Sequence, residues 1–188
     1  MNISIIINIF IMESLSTDII VYLVESFLSD YGKLKLMATT KEYYALRFKF
    51  TFNSIKRIKK INHLDYYDNF TNLVVHDTSV ILPKKIKYLS FGENFSYPII
   101  GFIPNTVTHL TFGDWFNQPI EGCIPNSVTH LTFGFYFNQS INDCIPDSVT
   151  HLTFGEWYNQ PIKNCIPTSV KYLIFRGKNG EFLRENFN

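Results

Sequence analysis

Residues 103–123 read IPNTVTHLTFGDWFNQPIEGC, residues 124–144 read IPNSVTHLTFGFYFNQSINDC, and residues 145–165 read IPDSVTHLTFGEWYNQPIKNC. The first matches each of the others at 15 of 21 positions, so the chain holds a tandem repeat of fixed length. A looser unit, LPKKIKYLSFGENFSYPIIGF, precedes them at 82–102, and a decaying one, IPTSVKYLIFRGKNG, follows from Ile166. Atypical units at both ends of a regular array are the mark of capping repeats in a solenoid, where each unit buries its apolar face on its neighbours.

Each unit has room for one short strand. In SVTHLTFG, Val128, Leu131 and Phe133 are the apolar positions. Alternation puts Leu131 and Phe133 on one face and His130 and Thr132 on the other, with Gly134 as the stop. The return path is not a long helix, because prolines recur at 104, 125, 146 and 167 and again at 98, 119 and 161. They leave no uninterrupted helical window of about ten residues. The expectation is parallel strands centred on Leu89, Leu110, Leu131, Leu152 and Leu173, stacked about 4.8 Å apart, with extended return segments.

The spacing V-x-x-L-x-F resembles the L-x-x-L-x-L core of a leucine-rich repeat with Phe in the last slot. More specifically, IPxSVTHLTFGxxFNQPI resembles the FNIP repeat. Phe116-Asn117-Gln118-Pro119-Ile120 carries that signature in full, Phe137-Asn138-Gln139-Ser140-Ile141 loses the proline, and Tyr158-Asn159-Gln160-Pro161-Ile162 substitutes tyrosine for the phenylalanine. The resemblance covers roughly 82–176 and implies a binding module, not a catalyst. Asn117, Asn138 and Asn159 recur once per coil, where an amide can satisfy backbone groups that no strand ladder reaches. The aromatics before them, Phe116, Phe137 and Tyr158, are expected inside.

Residues 13–50 follow another period. Ile19, Ile20, Leu23, Val24 and Phe27 make a helical stripe, Ser16 or Thr17 caps it, and Ser29, Asp30 and Gly32 break it. Thr39 and Glu42 suit a capping box for a later helix. The segment resembles an F-box through Leu15-x-x-Asp18-Ile19-Ile20, Leu34-x-Leu36 and Lys41-x-x-Tyr44-x-Leu46. It departs where Ser16 replaces the usual proline and where Tyr43 and Tyr44 replace a late tryptophan. The resemblance implies docking onto a Skp-type adaptor of a cullin ubiquitin ligase, with Leu15, Asp18, Ile19, Ile20 and Leu23 as contact residues. Residues 51–81 read as linker and degenerate first coil, with an entry strand at Leu73, Val74 and Val75, and 177–188 as a tail.

The remaining features exclude more than they assign. With 46% hydrophobic and 16% aromatic residues a buried core is available, and a net charge of +1 gives no case for nucleic acid. The apolar start MNISIIINIFIM, residues 1–12, is too short to span a membrane, and Met12 is an alternative start. Cys123, Cys144 and Cys165 are odd in number, each at one repeat position, which argues against a disulfide framework and for a reducing intracellular setting, cytoplasmic or nuclear. His109, His130 and His151 form an outward column, and Trp115, Tyr136 and Trp157 a second. Both are candidate target contacts, the rings especially, since exposed aromatics often anchor interfaces. No nucleotide loop, nucleophile elbow or HExxH occurs, and no metal, cofactor or catalytic residue is assigned.

The expectation is therefore an α+β chain: an N-terminal F-box-like helical module followed by a leucine-rich-repeat-like parallel β-solenoid. Its function is that of a non-enzymatic adaptor for an unknown protein target. Two other assignments stay open: a stand-alone scaffold whose N-terminal helices cap the array, and a metal-dependent enzyme built on the histidine or cysteine column.

Overall fold

In the computed structural model, residues 16–39, 41–53, 56–57, 64–177 and 182–183 are described. The chain divides into two compact units, Met1–Ser54 and Ile55–Asn188.

In the first unit the stripe becomes α1, Thr17–Phe27, with Ile20 and Val24 buried one turn apart and Ile19, Tyr22 and Phe27 exposed. The helix does end there, at Phe27, but Asp30 and Gly32 already belong to the next one, because Ser29 adopts an extended conformation and its hydroxyl accepts from the Gly32 amide at 3.3 Å. That cap opens α2, Asp30–Met37, with Asp30 in the first turn where the helix dipole favours a carboxylate. Gly32 is therefore inside a helix, a site costing only about 1 kcal/mol relative to alanine. The third helix, α3, spans Lys41–Ala45 and runs on into a 3-10 turn at Leu46–Phe48. The Thr39 hydroxyl is not a cap for it: it donates to the Leu36 carbonyl at 2.6 Å, finishing α2.

A polar knot ties these helices to the segment after them. Lys33, its side chain only 3% exposed, meets Glu25 at 2.8 Å and donates to the Thr51 carbonyl at 2.7 Å. Glu25 also accepts from the Thr51 amide and, at 2.9 Å, from its hydroxyl, while Asp30 accepts from the Asn53 amide at 3.2 Å. Phe50 and Phe52 beside them are fully buried.

The second unit is one eight-stranded sheet in sequence order. Its strands are β1 Lys56–Arg57, β2 Asn72–Val75, β3 Tyr88–Phe91, β4 His109–Thr111, β5 His130–Thr132, β6 His151–Phe154, β7 Tyr172–Arg176 and β8 Phe182–Leu183. From β1 to β7 every neighbour is parallel, and Leu73, Leu89, Leu110, Leu131, Leu152 and Leu173 stand in one register column. No helix lies between β3 and β7, so the return segments are extended and turned as the prolines require. Short β8 closes the sheet antiparallel to β7, within the segment read as a tail.

The core is two stacked aromatic ladders. Phe91, Phe112, Phe133, Phe154 and Phe175 follow one another at 5.2–5.4 Å between centroids. Phe95, Phe116, Phe137 and Tyr158 follow at 6.0–6.2 Å. Rungs of the two ladders touch within each coil, as at Phe133 and Phe137, 3.9 Å apart.

Candidate functional site

Coil stacking uses side chains as well as strands. The Ser127, Ser148 and Ser169 hydroxyls donate to the Val107, Val128 and Val149 carbonyls at 2.7–2.9 Å. Thr108, Thr129 and Thr150 donate likewise to the carbonyls of Lys87, Thr108 and Thr129. In the turn, the Asn117 side-chain oxygen accepts from the Asn138 amide at 2.9 Å, and that of Asn138 from the Asn159 amide at 3.0 Å. Gln139 and Gln160 donate into the same column. The asparagine column is thus a hydrogen-bond ladder continuing where the strand ladder has ended.

The histidine column sits on the outer face of the sheet. Tyr88, His109, His130, His151 and Tyr172 stack in that order at 4.0–4.4 Å between ring centroids. Each histidine Nδ1 lies 2.9 Å from the hydroxyl of the preceding threonine. Each threonine hydroxyl thus links its histidine to a carbonyl of the preceding coil, and the direction of the Nδ1 bond is set by the tautomer of the ring. Burial lowers the pKa of His109 and His130, and the neighbouring imidazoles lower it further. Among the described residues no group of three or more His, Cys, Asp or Glu is arranged to hold a metal.

The cysteine column lines the far turn with free thiols, Cys123 buried and the others half-buried. Their sulfurs donate to local carbonyls, as Cys144 does to Asn142 at 3.1 Å. Burial raises the Cys123 thiol, and burial followed by Glu121 and Asp143 raises that of Cys144. Both are therefore weak nucleophiles at neutral pH.

Trp115, Tyr136 and Trp157 occupy the turn after each strand. Trp115 and Trp157 are 52% and 56% exposed and Tyr136 is half-buried. They also touch one another: Trp115 to Tyr136 at 4.3 Å, Tyr136 to Trp157 at 5.8 Å, with Phe135 edge-on to Tyr136 at 4.8 Å. Backbone bonds hold the register, because the amides of Trp115, Tyr136 and Trp157 donate to the carbonyls of Glu93, Asp114 and Phe135 at 2.9–3.1 Å. Sequence reasoning does not single out the acids Glu93, Asp114 and Glu156, which share one repeat position, the latter two directly before Trp115 and Trp157. The signal was available: residues 88–162 contain six carboxylates and not one Lys or Arg.

In the helical unit, Leu15 lies outside the described residues. Asp18 is exposed, 3.8 Å from Lys49, and Ile19 is 47% exposed. Ile20 is 8% exposed and Leu23 half-buried, so the pair Ile19–Ile20 is split between surface and core. That follows from about 100° of rotation per residue, which turns Ile20 and Val24 inward together.

Comparison with known proteins bears on the repeats. The FNIP Repeat family matches residues 78–114, 116–157 and 158–180, more than half of the chain. An FNIP repeat-containing protein of Acanthamoeba polyphaga mimivirus is 38% identical over 46% of this chain and 19% of its own length. A second protein of that virus, described as F-box and FNIP repeat-containing, is 34% identical over 47% of this chain and 35% of itself. The chain thus spans well under half the length of these curated relatives. Among solved structures, the circular LRR protein CroV588 superposes with a TM-score of 0.52 at 43% identity, covering 57% of this chain and 17% of that one. With its 21-residue coils, asparagine ladder and family match in agreement, the chain belongs to the FNIP repeat family.

Proposed function

We propose that the chain is a substrate adaptor of a Skp–cullin ubiquitin ligase, in which the helical unit binds the Skp-type adaptor and the solenoid captures a protein target. It supplies position and no chemistry. The observation that carries the reading is a separate helical unit that exposes apolar side chains, Ile19, Tyr22 and Phe27, ahead of a repeat array. A relative described as containing an F-box with FNIP repeats supports it. Of the contact residues, Leu15, Asp18, Ile19 and Leu23 remain the candidates for direct contact, and Ile20 supports α1 from inside.

The test is to mix the purified chain with a Skp-type adaptor. Ile19→Glu with Tyr22→Glu places charge on the exposed face, where burial against a partner without a counter-charge is costly. Adaptor binding should be lost while the tryptophan-reported melt is unchanged, since both tryptophans lie in the solenoid. A wild-type chain that fails to bind, or a variant whose solenoid melts early, sinks the reading and favours a stand-alone scaffold.

A further inference from the structure

The chain's near-neutral charge conceals a strong local imbalance. Residues 88–162 hold Glu93, Asp114, Glu121, Asp143, Asp147 and Glu156 with no compensating Lys or Arg. Three of the six, Glu93, Asp114 and Glu156, share one repeat position: Asp114 and Glu156 directly precede Trp115 and Trp157, and Glu93 stands one coil before Asp114. The bonds from ring-residue amides to the Glu93 and Asp114 carbonyls keep acids and rings in adjacent columns. Among the described residues none of the three carboxylates is in an ion pair. Among the described residues, the Asp114 side chain accepts from the Phe135 amide alone, at 3.3 Å, through one of its two oxygens.

Half-exposed indole faces beside unneutralised carboxylates are complementary to one chemical class. A guanidinium or ammonium is attracted by the ring quadrupole and by the acids, while its aliphatic stem covers the rings. An apolar partner would leave the carboxylates desolvated and unpaired, and an acidic one would be repelled. We propose that this edge of the solenoid binds a basic segment of a protein, one presenting arginines or lysines at coil spacing over Trp115, Tyr136 and Trp157. The inference rests on the reading that the solenoid is the target-binding half, and names the chemistry of that target.

The experiment titrates the full chain with a capped arginine–glycine peptide and with its glutamine–glycine counterpart, reading the fluorescence of Trp115 and Trp157. The arginine peptide should give a saturable change that weakens at about 0.5 M salt, and the glutamine peptide none. Glu93→Gln, Asp114→Asn and Glu156→Gln together should weaken binding about tenfold. The same charge change away from the rings, Glu121→Gln with Asp143→Asn and Asp147→Asn, should leave it within about twofold. Equal losses in the two triple variants would mean diffuse attraction and overturn the site. Equal binding of the two peptides would overturn its charge selectivity. Self-association of the chain that disappears in Trp115→Ala/Trp157→Ala would identify a second copy as the occupant instead. Should target capture fail in that tryptophan variant yet persist in the Glu93/Asp114/Glu156 variant, the solenoid remains the target-binding half and the basic-segment inference falls alone.

Discussion

At the scale of single residues the repeat acts as its own control, because one position can be compared across coils. Tyr158 stands in the ladder where Phe116 and Phe137 stand in earlier coils. Its hydroxyl is buried with no hydrogen-bond partner among the described residues, and burial pushes its pKa up to about 12. A buried unsatisfied hydroxyl costs about 1–3 kcal/mol. Tyr158→Phe should therefore hold or raise stability, by up to about 1 kcal/mol once lost packing is allowed for, read as a higher urea midpoint. A lower midpoint would reveal a partner for that hydroxyl. Neighbouring positions sort as alternation demands: Leu131→Ala should cost about 2–5 kcal/mol in the core, and Thr132→Ala on the outer face little. Which faces are inside was legible in V-x-x-L-x-F. What Ser, Thr and Asn do was legible only in part. Their recurrence is visible in sequence, but it takes stacked coils to show that their acceptors and donors lie 20–22 residues away.

Among elements, the turn before Phe102, Cys123, Cys144 and Cys165 is as regular as the strand. Gly101, Gly122, Asp143 and Asn164 occupy the same position in successive coils, and all have φ between 53° and 68°. That is the left-handed region, open to Gly and tolerated by Asn and Asp. Gly122→Val should cost about 1–2 kcal/mol there, while Asp143→Gly should be neutral or stabilising in the same melt. The histidine ladder makes a second element-scale prediction. Because folding lowers the pKa of His109 and His130 from 6.5, the unfolded chain binds more protons in the window just below that value. Stability from this source is fully present above pH 6.5 and is lost as pH falls through 6.5 toward the folded values. The urea midpoint should drop between neutral and mildly acidic pH, and His109→Gln/His130→Gln should flatten that part of the profile. An unchanged slope would show the stack to be energetically silent. The helices were less legible than the strands because capping depends on one hydroxyl's direction. Ser29 reads as a breaker in sequence, and it caps α2 once its backbone is extended.

At the scale of the whole molecule, two units of different construction share one chain. The solenoid spreads its stability over stacked neighbours, each coil repeating the same ladders, as repeat proteins do. The helical unit, Met1–Ser54, has little room for a core, so it leans on a few strong contacts. Chief among them is the Lys33 ammonium, held by Glu25 and the Thr51 carbonyl. Removing one partner from a buried ion pair costs about 3–5 kcal/mol, because the other charge is left without compensation. Glu25 is partly exposed, which lets water recover some of that loss, and Glu25→Ala should cost up to about 3 kcal/mol. The damage should be local. Both tryptophans of the chain, Trp115 and Trp157, lie among the coils, so their fluorescence reports the solenoid, whereas among the described residues the α-helices are α1, α2 and α3, which give the helical far-ultraviolet signal. In Glu25→Ala the helical transition should shift to lower urea while the tryptophan transition keeps its midpoint. If both transitions move together by the same amount, the two units unfold as one, and surfaces on the helices and on the coils cannot be disabled separately by mutation. The replacement Glu25→Gln adds a control: its single amide oxygen keeps the bond from the Thr51 amide, while an NH2 group replaces the oxygen that meets Lys33 and the Thr51 hydroxyl. A loss smaller than that of alanine would assign the glutamine loss to the oxygen shared by Lys33 and the Thr51 hydroxyl, and the remainder to the Thr51 amide bond and packing.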